Sequence, residues 1–229
     1  MAAKTGASRD RYEPWRRNHP VDTLVFVIVD SGLSNALDQR EELREEMTAE
    51  AAFLVDLLNT LDERSFTLHG VQHRRCDELA ELPAAVQWLR HHGLIPKRKS
   101  SLATDDLVNV IELRRALRTA LSVRAGHERA SSIPEVNAVL ANLSVVVRLD
   151  SDAAPALTGT TAGVTASLGE NVARVVADGV WHRLRMCAAP DCRWVFYDTS
   201  RNARGRWCSM RVCGNRDKTR RYRGRKVSA

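Results

Sequence analysis

Four of the chain's five cysteines fall within 27 residues, as CAAPDC at 187–192 and CSMRVC at 208–213. The resulting pattern, C-x4-C-x15-C-x4-C, supplies two matched thiolate pairs. Thiolate sulfur suits a tetrahedral zinc ion, each pair gripping one side of it. A spacer of four is at the wide end for such pairs, and Pro190 and Asp191 supply the turn chemistry that makes the first loop compact. Two disulfides would require an oxidising compartment. Four unrelated buried thiols would leave the matched spacing unexplained in a segment too short to fold on a core of its own. The expectation is one structural Zn2+ held by Cys187, Cys192, Cys208 and Cys213. Cys76 stands apart and reads as a small buried hydrophobe.

Four thiolates around a divalent ion leave a charge near −2, which Arg193, Arg206, Arg211 and Arg216 are placed to offset. The basic density beyond Cys213 exceeds that need. Residues 201–226 contain eleven Lys or Arg and one acid, Asp217, so this segment carries +10 against +7 for the whole chain and the remainder is net −3. A mildly acidic body with a concentrated basic end points to a polyanionic partner. Ser209 is placed to cap a helix running through CGNRDKTRRYR, on which Arg216, Arg220 and Arg223 share a face and Asn215, Thr219 and Tyr222 line the adjoining strip. Candidate nucleic-acid contacts are therefore Arg206, Asn215, Arg216, Lys218, Arg220, Arg221, Arg223 and Arg225. The bland alternative is a solvated basic terminus. Between the cysteine pairs, Trp194, Phe196 and Trp207 read as packing residues for the small module, with Tyr197 balanced between packing and base stacking.

The elements that must position this site are mostly helical. In AEAAFLVDLLNTLDE at 49–63, Phe53, Leu54, Leu57, Leu58 and Leu61 form one apolar face. A second helix opens near Pro83, carries Val86 and Leu89, and stops at Gly93; a basic KRKS loop follows Pro96. Thr104 is the expected cap of a long helix with Leu107, Val110, Ile111, Leu117 and Leu121 inward. A shorter helix begins at Pro134 with Val136, Val139, Leu140 and Leu143. VVVRL at 145–149 reads as a strand, and DSDAAPALTGTTAG as a turn leading to a second strand of a hairpin. The last body helix follows, with Leu168, Val172, Val175 and Val176 inward, and a strand at 194–197 is expected to pack on it. The fold class is mainly α: a helical body with a short β-hairpin, then a small four-cysteine zinc finger ending in a basic helix.

The segments CAAPDC and VFYDTSRNARGRWCSMRVCGNRDKTRRYR resemble the CGNR zinc finger, whose name is spelled by Cys213, Gly214, Asn215 and Arg216. The body is similar, more loosely, to the ABATE domain that commonly precedes this finger in stress-induced bacterial transcription regulators. FLVDLLNTLDER at 53–64 carries that resemblance, with LAELPAAVQWLRHHGL at 79–94. It implies a DNA-binding regulator with four cysteine zinc ligands. The expected organisation is an ABATE-like domain over 47–180 and the finger with its tail over 181–229. Residues 1–46 form an N-terminal extension, read either as lying upstream of a true start at Met47 or as a loosely packed arm; within it LVFVIV at 24–29 reads as a short strand and 39–47 as a charged helix.

Other function classes find less support. No HExxH, GxSxG, phosphate-binding glycine loop or dinucleotide fingerprint is present, and the expectation is not an enzyme. His69 and His73 have the four-residue spacing of helical metal ligands, but a glycine lies between them. Asn59 and Asp62 beside Arg64 line a ligand pocket on one reading and turn a helix on the other. The six-residue LVFVIV is far short of the ~20 a membrane helix needs. The expectation is a cytoplasmic protein that binds DNA, with RNA or ribosome binding and a zinc-dependent protein adaptor as the other readings, and a body that senses a small molecule or forms a homodimer.

Overall fold

The computed structural model describes residues 47–68, 70–96, 102–161 and 163–227. The expected strand at 24–29, the charged helix beginning at 39, His69 and the basic loop at 97–100 lie outside the described residues. The chain is about half helical with small strand hairpins, and its four clustered cysteines lead into a terminal helix.

Helix α1 (Ala49–Asn59) is capped by Thr48, whose Oγ1 accepts from the Ala51 amide at 3.1 Å. Phe53, Leu54, Leu57 and Leu58 are buried as their spacing predicts. The stripe does not continue to Leu61. The Thr60 hydroxyl donates to the Leu57 carbonyl at 2.7 Å, the chain turns, and Leu61 enters β1 (Leu61–Asp62). A small excursion follows, β2 (Thr67–Leu68) paired with β3 (Val71–Gln72), before β4 (Cys76–Asp77) returns to pair with β1. His73 therefore lies just beyond a hairpin strand rather than on a helix, and Cys76, expected to be buried, is exposed. Side chains alternate across a strand, and in β4 it is Asp77, paired at 2.6 Å with the buried Arg114, that faces the body, leaving Cys76 on the other side.

Helix α2 (Leu82–His91) has Pro83 in its first turn and buries Val86 and Leu89. Helix α3 (Thr104–Ala125) is the central element. Thr104 is its first helical residue and Ala103 occupies the cap position without a side-chain bond, so the expected Thr cap is absent; Asp105 and Asp106 instead place negative charge at the positive end of the helix. The helix closes on Gly126 at φ 80°, a left-handed conformation that favours glycine. Val110, Leu113, Leu117 and Leu121 are buried, Leu107 and Ile111 pack at the margin, and Arg114 and Arg118 lie buried among them. Helix α4 (Ile133–Leu140) buries Val136 against α3.

The hairpin of β5 (Val145–Leu149) and β6 (Pro155–Gly159) runs in the register Val145↔Gly159 to Leu149↔Pro155, as the β-branched run and the turn-rich stretch suggest. It rests on α5 (Val164–Ala177), which buries Leu168 and Val175. Val176, expected inward, is 59% exposed. The inward stripe of α5 runs through Leu168, Asn171 and Val175, and Val176 lies about 100° round the helix from Val175, outside that stripe.

Strands β7 (Leu184–Met186) and β8 (Val195–Tyr197) then pair antiparallel, Leu184 opposite Tyr197 and Met186 opposite Val195. β8 lies on α1 and β7 on α3, not on the last body helix as expected. Leu184, Met186 and Val195 join Leu54, Leu57, Leu58 and Leu117 in one apolar core. The first half of the cysteine module is thus built into the body. Helix α6 (Asn215–Val227) ends the described chain. Among the described residues, no helix is long and apolar enough to cross a membrane.

Candidate metal centre and basic helix

The β7–β8 hairpin positions the first cysteine pair. Cys187 directly follows β7, and its amide donates to the Trp194 carbonyl at 2.9 Å, so the CAAPDC loop closes across the open end of the hairpin. Cys192 donates back to the Ala189 carbonyl, and Arg193 then takes φ 53°, letting the chain turn into β8. The second pair is fixed by a turn of π-helix, Met210–Gly214. Ser209 caps it, as the sequence suggests: its hydroxyl accepts from the Val212 amide at 3.3 Å. The two loops are tied by the Ala188 amide on the Arg206 carbonyl at 2.8 Å.

All four sulfurs lie within 4.8 Å of one another, and the Cys192–Cys208 and Cys208–Cys213 Sγ separations are 3.7 Å. A tetrahedron with Zn–S bonds of ~2.3 Å has sulfur–sulfur edges of about 3.8 Å. The thiols are free, and three of them are buried. Without a cation they compete for protons. Hydrogen bonds from Cys192, Cys208 and Cys213 favour the Cys187 thiolate, whereas hydrogen bonding with Cys187 and its other neighbours, together with burial, pushes the Cys208 thiol far up. A divalent ion removes this conflict by stabilising all four thiolates. The residues therefore fit one structural zinc.

The charge around the centre comes partly from an unexpected direction. Arg216 approaches, its Nη2 3.9 Å from the Cys213 sulfur. Arg193 turns away to Glu63 and Glu128, both at 3.2 Å, and Arg206 lies over the Trp207 ring. The body contributes Arg64, which stacks 4.1 Å from the centroid of Trp194 and feels the Cys192 and Cys208 sulfurs. Burial would raise the Asp62 carboxyl, but hydrogen bonds from the Arg64 side chain and amide hold it below its usual value. Trp194, Phe196 and Trp207 pack around the cysteine cluster, as their reading as packing residues anticipates.

The string Cys213–Gly214–Asn215–Arg216 has a local physical account. Cys213 is a ligand-set member. A Cβ at Gly214 would meet the Met210 sulfur at 2.7 Å and the Trp207 ring at 3.3 Å, so a larger residue there would push aside the exposed end of Met210 and press on Trp207. Asn215 begins α6 and donates to the Arg211 carbonyl at 3.0 Å. Arg216 pairs with Asp191 of the first loop at 2.6 Å and lies 3.5 Å over the ring of Phe66. It bridges both cysteine loops and the body, which fixes the start of α6.

Beyond it, Lys218, Arg220, Arg221, Arg223 and Arg225 are exposed on α6. Arg220 and Arg221 also bracket the buried Asp217, at 2.9 and 2.8 Å. Arg216, Arg220 and Arg223 do share a face: with Arg211, Asn215 and Thr219 they line a shallow groove that Leu68 of β2 also lines. Arg206 is exposed on the loop before Trp207, outside that groove.

Asn59, Asp62 and Arg64 prove to be docking residues. The Asn59 amide nitrogen donates to the Val195 carbonyl at 2.8 Å and its oxygen accepts from the Val195 amide at 2.9 Å. Arg118 donates to the Leu58 carbonyl at 2.6 Å, to the Glu63 carboxylate and to the Arg193 carbonyl at 3.3 Å. The sequence signal for the arginines was available: Val110, Arg114 and Arg118 stand four apart within the buried stripe. Asn59→Ala leaves two backbone groups of Val195 buried without partners, at about 1–3 kcal/mol each. A lowered urea midpoint of the zinc-loaded protein is the expected result, and an unchanged midpoint would refute the docking role.

Residues 183–226 match the CGNR zinc finger. Residues 51–182, more than half the chain, match the ABATE family, described as "Putative stress-induced transcription regulator". No curated protein matches the chain.

Proposed function

Because this chain belongs to the ABATE family and carries a CGNR zinc finger with one structural zinc, we propose that it is a DNA-binding transcription regulator that works by binding rather than catalysis. The observation that carries this reading is α6. It has seven Lys or Arg and one acid, and it starts two residues after Cys213, where Arg216 ties it to both cysteine loops. A basic helix held at one end by a metal-bearing turn presents its charges in a fixed pattern, which a solvated tail does not. Lys218, Arg220, Arg221, Arg223 and Arg225 meet phosphates in this reading, while Arg216 and Asn215 hold the helix start. The body serves as the platform on which the finger is oriented.

Arg220→Ala combined with Arg223→Ala tests it. Each lost phosphate contact on duplex DNA reduces the slope of log K against log salt by about 0.9, so the double variant should flatten it by about 1.8. Zinc content should stay at one per chain. Unchanged affinity and slope would move the contact surface off this helix. Stronger binding to RNA than to DNA would replace the partner.

A further inference from the structure

Resting on the reading of α6 as a DNA-contacting helix, we infer that the β2–β3 hairpin of the body is a second contact arm, with Arg74 and Arg75 meeting phosphates of the same duplex. The hairpin contributes little to the core: each strand is two residues long, Thr67 and Gln72 are exposed, and Val71 is 63% exposed. Burial does not explain its presence. Its position does offer a reason. Leu68 lines the same groove as Arg211, Arg220 and Arg223. Its base is fastened to the finger rather than left to swing. The Ser65 amide donates to the Asp191 carbonyl at 3.0 Å, Phe66 lies under Arg216, and the His73 ring packs tilted against Phe66, centroids 4.9 Å apart, while its amide donates to the Phe66 carbonyl at 2.9 Å. Arg74 and Arg75 directly follow His73 and are exposed.

Two adjacent exposed cations thus follow directly on His73, whose ring packs on the phenyl ring beneath the arginine that anchors the basic helix. The shared clamp on Asp191 and Phe66 fixes the distance between the two arms. A helix and a short ribbon held together span more backbone than the helix alone. Duplex DNA fits this pair of rigid, separated cationic surfaces because its phosphates are regularly spaced along two strands.

The test uses full-length, zinc-loaded protein and a random-sequence 20-base-pair duplex DNA, with an RNA duplex of the same length, in a salt titration followed by fluorescence anisotropy. Arg74→Ala with Arg75→Ala should lower the DNA slope by about 1.8 and weaken binding at least several-fold at low salt. Arg74→Gln with Arg75→Gln should do the same, guarding against a folding defect in the first pair. Arg115→Ala with Arg148→Ala removes equal charge from exposed body sites outside the groove and should leave the slope unchanged. A wild-type slope in both Arg74/Arg75 variants, with a flattened slope in the Arg220/Arg223 variant, overturns the second arm and leaves the first reading standing. Wild-type slopes in all of them overturn both. An equal loss in the Arg115/Arg148 control, or the whole pattern on RNA alone, also overturns the inference.

Discussion

Cys208→Ser is expected to reduce bound zinc from one per chain to near zero and to unfasten the C-terminal third of the finger. Structural zinc contributes an apparent ~10–16 kcal/mol in small finger peptides, as much as an ordinary domain's whole stability of about 5–15 kcal/mol. Cys208 sits 3.7 Å from both Cys192 and Cys213, so its sulfur links the two loops. Removing it frees the Met210–Gly214 turn and α6. The damage should stop at β8, because Leu184, Met186 and Val195 are held by the body core whether or not metal is bound. Hydrogen exchange on the variant should therefore show protected amides at 184–186 and 195–197 and unprotected ones from 210 onward. Retained stoichiometric zinc would refute the ligand assignment, and loss of protection throughout the body would refute the division between the two halves of the module.

The second large effect falls on Arg118→Ala. This guanidinium is 5% exposed, and burial lowers its pKa despite the opposing carboxylate of Glu63. Removing one partner of a buried ion pair costs about 3–5 kcal/mol. Here it also strips the Leu58 and Arg193 carbonyls of a donor. Arg118→Lys should recover little, because a single ammonium cannot reach three acceptors in the guanidinium's planar arrangement. Denaturant midpoints of zinc-loaded protein measure this. A shift worth under 0.5 kcal/mol, the usual scale of a surface substitution, would show that the network is dispensable.

The contrast between these residues explains what could be read from the sequence. The zinc ligands were legible because they are close in sequence and their chemistry is narrow. The hairpin over 145–159 was legible from its β-branched strand and turn residues, and the helical stripes from their period. Leu61 fitted the period of α1 but left it, because Thr60 satisfies its hydroxyl on the preceding turn and the chain is captured by β4. Arg114 and Arg118 occupy inward positions that a charge-based reading assigns to solvent. Their partners Asp77 and Glu63 are 37 and 55 positions away, a distance no local pattern spans. Arg216 was legible as basic and helical, but its anchoring role needs Asp191 and Phe66, which only the fold brings to it.

The shared core beneath β7 and β8 has a consequence for how such a protein can be rearranged. The stretch matching the finger begins at 183, yet three of its apolar side chains, Leu184, Met186 and Val195, are sealed by helices that lie far upstream. Cut out alone, that stretch would carry a bare greasy flank and the polar backbone that Asn59 normally satisfies. Grafting it onto an unrelated scaffold, by recombination or in the laboratory, would require a matching copy of α1 to travel with it.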